Sequence, residues 1–177
     1  MRISVVAACL LIGGHFVAAQ APSAEYRVKA AFLTKFPEFT AWPDGSLAAR
    51  KAIDICVAGP NPFGQTLAEL VADRIVHGLP LVTRRIDSAP AVDTCQVVFI
   101  ASASPGSRKA YLARAAARPV LTVGDAPDFL DEGGIVQLRM IDGRVRFEVN
   151  AEAADRAGVR LSAQLLRLAI AVRGRPS

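Results

Sequence analysis

From Glu25 to Phe39 apolar residues return every three or four positions, at Val28, Phe32, Phe36 and Phe39, with Lys29 and Lys35 off the stripe. That spacing predicts an amphipathic helix whose aromatic row docks on a sheet as core packing. Pro37 ends or kinks the helix near Phe36, because proline cannot donate to the preceding turn. The pattern then changes. Ala52-Ile53-Asp54-Ile55-Cys56-Val57-Ala58-Gly59 is near-continuously apolar and rich in β-branched residues, as a strand buried on both faces requires. A Gly59-Pro60-Asn61-Pro62-Phe63-Gly64 loop leads from it into a helical pattern at 65–71, so this strand opens a βαβ unit and is read as the central one.

Leu79 to Ile86 reads as a second strand, placed at an edge by Pro80, Arg84 and Arg85, since proline and positive charge discourage pairing with other chains. Cys95 begins the third apolar run, through Val97-Val98-Phe99-Ile100-Ala101, and a helix is expected over 108–117. Val120-Leu121-Thr122-Val123 is the fourth strand, followed by a short helix or turn at 126–130 and the pair Gly133-Gly134. Ile135 to Ile141 and Arg144 to Asn150 flank Asp142-Gly143, the signal for a two-residue type I′ hairpin. That turn sets Met140 against Val145, Leu138 against Phe147 and Val136 against Val149 on one apolar face. Gln137, Arg139, Arg144, Arg146 and Glu148 occupy the other, expected to face solvent. Asn150 caps a helix over 151–157 that Gly158 stops, and Ser162 caps a last helix with Leu161, Leu165, Leu168 and Val172 in one stripe. The fold class expected is α/β: a doubly wound, mainly parallel sheet of order 2-1-3-4, a C-terminal antiparallel hairpin, and helices on both faces.

The N-terminus changes the inventory. Met1-Arg2 followed by an apolar run to Ile12, with Val17-Ala18-Ala19 supplying small residues, has the form of a secretory signal cleaved after Ala19. The run falls short of the roughly 20 residues that span a bilayer. Its removal leaves roughly 160 residues, 20–177, the size of one domain. Arg2 is the only formal charge lost from the net +5, and His15 and Cys9 go with it. The remaining basic residues are scattered rather than clustered, which speaks against nucleic acid, and no later stretch is long enough to span a membrane.

The chemistry that remains is sparse. His77 is the single histidine after cleavage, too few for a histidine-based metal site. Asp125, Asp128, Asp131 and Glu132 lack the spacing of a calcium loop and read as a solvated helix and turn. Pro60 and Pro62 each remove a backbone donor from the loop after the first strand, which argues for a simple turn there and against a phosphate cradle. There is no Gly-x-Ser-x-Gly elbow, and Ser102 and Ser104 have no evident base. No catalytic residue, metal or cofactor is assigned, and an enzyme is not expected. Cys56 and Cys95, the two cysteines of the exported chain, are the reactive feature, and an intramolecular disulfide is expected in an oxidising compartment. Aligning the two strands by their loop ends sets Cys56 opposite Phe99. Cys95 is then four residues off, roughly 13 Å at about 3.3 Å per residue, against the roughly 7 Å that a bond allows. Either the register is shifted, or Cys95 folds back from a loop, or the bond forms only under oxidation.

Lys29-Ala30-Ala31-Phe32-Leu33, Lys35-Phe36-Pro37, Trp42-Pro43, the Gly59 loop, the Cys56 and Cys95 spacing, Gly133-Gly134-Ile135, Arg146-Phe147-Glu148-Val149-Asn150 and Ser162-Ala163-Gln164-Leu165-Leu166 together resemble the YfiR-like periplasmic proteins. The resemblance runs over nearly all of 20–177. It implies a periplasmic α/β domain that binds the periplasmic sensor portion of an inner-membrane diguanylate cyclase and restrains it, and so controls cyclic di-GMP and biofilm formation. A related sensor kinase and a second copy of the chain are further candidate partners. Members carry a second cysteine pair flanking the glycines, where this chain has Leu130 and Gln137. The partner surface expected joins the hairpin near Val136 and Glu148 to Asn150 and the helix carrying Ala154. The alternative is a small-molecule sensor whose pocket is lined by Trp42, Arg160 or the Gly59 loop.

Overall fold

The computed structural model describes residues 22–101 and 105–174. The chain opens with α1 (Ala24–Lys35), capped by the Ser23 hydroxyl, which accepts from the Tyr26 N–H. At Pro37 the helix tightens into a 3-10 turn, Phe36–Phe39, and runs into β1 (Thr40–Ala41). Next come β2 (Ile53–Ala58), α2 (Thr66–Val71), β3 (Ile75–Val76) and β4 (Leu79–Ile86). A second 3-10 turn, Ala89–Thr94, leads to β5 (Val97–Ile100), α3 (Pro105–Ala115) and β6 (Leu121–Gly124). The hairpin is β7 (Val136–Ile141) and β8 (Arg144–Asn150), and the chain ends through α4 (Ala151–Arg156), β9 (Arg160–Leu161), α5 (Ala163–Leu168) and β10 (Ala171–Arg173).

Eight strands form one sheet in the order β10-β8-β7-β6-β5-β2-β4-β3, and β1 pairs with β9 in a separate two-stranded ribbon. The four central strands stand in the order expected, and β2, β5 and β6 are buried almost throughout, as helices on both faces demand. β7 extends the parallel run beside β6, and the sheet turns antiparallel only at its two sides, in the β7–β8 hairpin and in the short β3–β4 pair. Val136↔Val149, Leu138↔Phe147 and Met140↔Val145 pair as the Asp142-Gly143 turn dictates, both turn residues taking positive φ. His77 (φ 51°) and Gly78 (φ 78°) make a second tight turn of this kind between β3 and β4.

Alternation along the strands sorts the core into two faces. Ile55, Val57, Val97 and Phe99 point toward α1, α2 and α4, with Phe36, Phe63 and Phe147. Cys56, Ala58, Val98 and Ile100 point the other way, toward the second 3-10 turn and α3, with Tyr111, Leu112 and Phe129. Phe129 is fully buried between Gly124 and Gly134, where a Cβ on either glycine would overlap its ring.

Two expectations are corrected. The last helix does not run to Val172: it stops at Leu168, and Ala171–Arg173 add a parallel edge strand to β8. The open edge of β8 offers hydrogen bonds to a segment in which Ile170 and Val172 are β-branched, and Ala169 has turned extended. The Gln137 and Glu148 side chains are not solvated. β10 and the 126–130 turn cover that end of the hairpin, leaving Gln137 2% and Glu148 6% exposed. The Gln137 amide donates to the Ala126 and Pro127 carbonyls at 2.8 and 2.9 Å. Hydrogen bonds therefore hold the turn to β7 at Gln137.

Candidate functional site

α1 turns two apolar sides outward from its axis. Ala30 and Leu33, with Lys29 and Thr34, are the residues it buries. The stripe Val28, Phe32, Phe36 and Phe39 packs as core only in part: Phe36 is buried within it, and of the other three Phe32 and Phe39 are half-buried against it and Val28 is exposed. The other three line an open groove of about 290 Å³, together with Ala31, Lys35, Phe147, Leu165 and Leu168. Phe147 contributes from β8 and meets Phe32 and Phe36 at ring separations of 5.7 and 5.6 Å in edge-on contact. Val28, 45% exposed, and Leu168, 62% exposed, form the lips. Aliphatic and aromatic carbon makes nearly the whole lining, with the Lys35 ammonium on the rim beside Glu38. Such a surface binds by excluding water from a matching apolar shape and has no group with which to make or break a bond.

Away from the groove the ionisable groups are engaged with one another. Lys29 is buried and pairs with Asp125 at 2.6 Å and Glu25 at 2.5 Å, fastening α1 to the loop after β6. The Tyr26 hydroxyl donates to the same Asp125 oxygen at 2.9 Å. Burial first, and then the Asp125 charge, push the Tyr26 phenol well above its ordinary range. Arg108 is buried against Glu132 and Asp128, and its bond to Glu132 raises its pKa further. Asp131 pairs with Arg173. In the acidic run at 125–132, Asp125 and Glu132 are covered within ion pairs, whereas Asp128 and Asp131 stay exposed at the turn while pairing with Arg108 and Arg173, and the described residues hold no group of metal-ligating side chains.

Cys56 and Cys95 are disulfide-bonded, with Cα atoms 5.9 Å apart. Two of the alternatives combine: Cys56 stands opposite Val98 rather than Phe99, and Cys95 folds back at the end of the Ala89–Thr94 turn. Of the expected partner residues, Val136 and Ala154 are buried and present almost nothing to a partner. Asn150 caps α4 by accepting from the Ala153 N–H, and its amide reaches the Leu130 carbonyl. Glu148 is held by Arg139 and by Arg173. These four residues build the frame under α4 and β10 rather than an open surface. Trp42 and Arg160 do not share a pocket. Arg160 lines an open cavity with His77, Phe39 and Leu161, whereas Trp42 lines another with Arg50 and Arg118. His77 Nε2 lies 3.0 Å from both the Pro37 and Thr40 carbonyls, so it carries the hydrogen and donates. The signal-peptide reading and Ser102 and Ser104 lie outside the described residues.

A model of the YfiR/HmsC-like family matches residues 26–170, from the first turn of α1 to just past the end of α5. The chain belongs to that family. YfiR/HmsC-like proteins are periplasmic and regulatory, and no described helix of this one is long and apolar enough to cross a membrane. Among solved structures, it is similar to a conserved domain protein from Vibrio cholerae O1 biovar eltor, at 14% identity and a TM-score of 0.52. It is also similar to an ABC domain from Streptococcus pneumonia in complex with L-Trp, at 10% identity and a TM-score of 0.51. In each case the match covers 84% of this chain and 60% of the other. Those likenesses show the α/β fold. Within the YfiR/HmsC-like sequence the groove had a visible signal: α1 carries Val28 and Phe32 as well as Ala30 and Leu33, more apolar breadth than one buried face needs.

Proposed function

We propose that this protein is a periplasmic regulatory binding protein that restrains an inner-membrane diguanylate cyclase, and that the groove between α1 and α5 receives part of the cyclase's periplasmic sensor region. The observation that carries the reading is the open row of Val28, Phe32, Phe39 and Leu168 over buried Phe36 and Phe147. Family membership supports a periplasmic regulator that works by contact rather than turnover. From Val28 to Phe36 the groove runs about 12 Å at roughly 1.5 Å per residue, room for two turns of a partner helix that brings its own apolar stripe. Export by a signal peptide over 1–19 places the domain where such a sensor is exposed. Val136, Glu148, Asn150 and Ala154 act in this reading by holding β8 and β10 in place beneath α5.

The test is capture of the cyclase from solubilised inner membranes by tagged protein, beside cellular cyclic di-GMP. Leu168→Asp sets a charge on the lip without touching the core. It is expected to lower capture at least tenfold and raise cyclic di-GMP, with the melting temperature unchanged. Full capture by that variant would remove the groove from the interface.

A further inference from the structure

We propose that the tip of the β7–β8 hairpin docks on an anionic lipid surface. The hairpin runs past the strands on both sides of it. β6 last pairs with it at Gln137, and β10 first pairs with it at Glu148, just after the Ile170 N–H has reached the Phe147 carbonyl. Among the described residues no strand lies beside 139–146 except the hairpin's own two, and Leu138 to Ile141 carry the turn about 13 Å beyond Gln137 at about 3.3 Å per residue. The arm is backed at its base, where Leu138, Val145 and Phe147 are buried in the α1 core, and exposure begins at Met140.

Charge at the tip has one sign in excess. On the face opposite Met140 and Val145, Arg139 stands across from Arg146, and Arg144 across from Ile141. The carboxylate on that face, Glu148, is already held by Arg139 and by Arg173, so it offers nothing to Arg146. Arg144 and Arg146 are exposed and, among the described residues, enter no ion pair; Arg167, in the last turn of α5 and three residues before Ile170, is in the same position. Asp142, in the turn, is the one hairpin carboxylate set against these three cations. Like charges placed across a hairpin repel each other, and a layer of lipid phosphates relieves that repulsion.

Bare carbon decides for a membrane over a soluble anion. Met140 is 45% exposed and Ile170 46%, and Val172 follows at 38% on the edge strand. These side chains share one face of the sheet: Met140 pairs with Val145, and the β10 register sets Ile170 level with Phe147 and Val172 beside Val149. They stand on a projecting turn and an open edge, with the arginines close by. An acidic protein partner would need a hollow to match each apolar prong, whereas a bilayer accepts them without one. Its interface takes carbon toward the acyl boundary while guanidinium groups stay among the phosphates.

The test uses vesicles without cyclase, so the proposal stands or falls apart from the proposed function. Full-length mature protein is sedimented with vesicles of mixed phosphatidylethanolamine and phosphatidylglycerol, with phosphatidylcholine vesicles as the neutral comparison. Salt-sensitive binding is expected to the anionic vesicles alone. Each arginine at an anionic membrane strengthens binding roughly fivefold, so Arg144→Gln with Arg146→Gln should weaken it at least tenfold. Lys51→Gln with Arg85→Gln takes the same two charges from the β2 and β4 end of the sheet and should leave it intact. In detergent, where there is no bilayer, the hairpin variant should capture as much cyclase as the unaltered protein. The proposal is overturned by absent binding to anionic vesicles, by equal binding to neutral ones, by undiminished binding in the hairpin variant or by an equal loss in both double variants. It is overturned too by loss of cyclase capture in detergent, which would assign the arginines to a protein contact.

Discussion

On one face of the sheet, α1, α2 and α4 pack Phe36, Phe63, Phe99 and Phe147 into a broad apolar core that stays open along the outer side of α1. On the other, a six-residue 3-10 turn and α3 cover a smaller core, and they are fastened by the Cys56–Cys95 bond and by Arg108 and Arg114. The difference follows from how much carbon each face can bury. Where aromatic residues are plentiful, burial alone stabilises the layer and leaves apolar surface over for a partner. Where the covering elements are short, the hydrophobic contribution is small and covalent or ionic ties replace it.

Removing the tie should have the largest effect. The bond closes a loop of 39 residues, for which chain entropy gives a stabilisation of about 4 kcal/mol. Cys56→Ala with Cys95→Ala is therefore expected to lower the melting temperature by on the order of 10 °C in calorimetry, with capture of the partner retained below the transition. An unchanged melting temperature would mean that the small face holds itself without the bond.

The next effect is steric. Gly134→Ala drives a methyl group into the Phe129 ring, and Gly124 on its far side gives the ring no room to retreat. Overpacking of this kind costs about 2 kcal/mol, read as a shift in the urea midpoint. A tolerated alanine would show that the turn at 126–134 can move as a unit.

The smallest effect belongs to the broad face and depends on pH. Because Tyr26 is held protonated by burial and by Asp125, its folded pKa stands above its unfolded one. Its contribution to stability is then complete below the unfolded value near 10 and is lost as pH rises past it. Tyr26→Phe should flatten the fall in stability between about pH 10 and 11. An identical fall in both proteins would assign the alkaline loss to other groups, Tyr111 among them, whose pKa burial also raises.

Much of the scaffold was legible in the chain, for reasons that differ by element. The central strands announce themselves because burial on both faces leaves no room for polar residues, and Asp142-Gly143 sets the hairpin register because only a few residues accept positive φ twice in succession. What could not be read depends on residues distant in sequence. Lys29 is buried because Asp125 waits 96 positions away. Glu148 is covered because Ala171–Arg173 become a strand, and a short apolar run of that kind fits helix and strand equally well. The groove exists because, among the described residues, no element lies over the outer side of α1, and the spacing of Val28, Phe32 and Phe36 is the same whether or not something covers them.

The sheet finishes in very short strands at both ends, β3 with two residues and β10 with three, and Pro80 stands in β4 opposite Ile75. Each leaves part of its neighbour's edge open, Val82 to Ile86 of β4 and Arg144 to Phe147 of β8, and there Arg84, Arg85, Arg144 and Arg146 place positive charge that discourages pairing with another copy. The protein can keep a greasy groove facing outward and still resist fibril-like aggregation when it accumulates, because the surface that attracts a partner is a helix face and not an unfinished row of backbone hydrogen bonds.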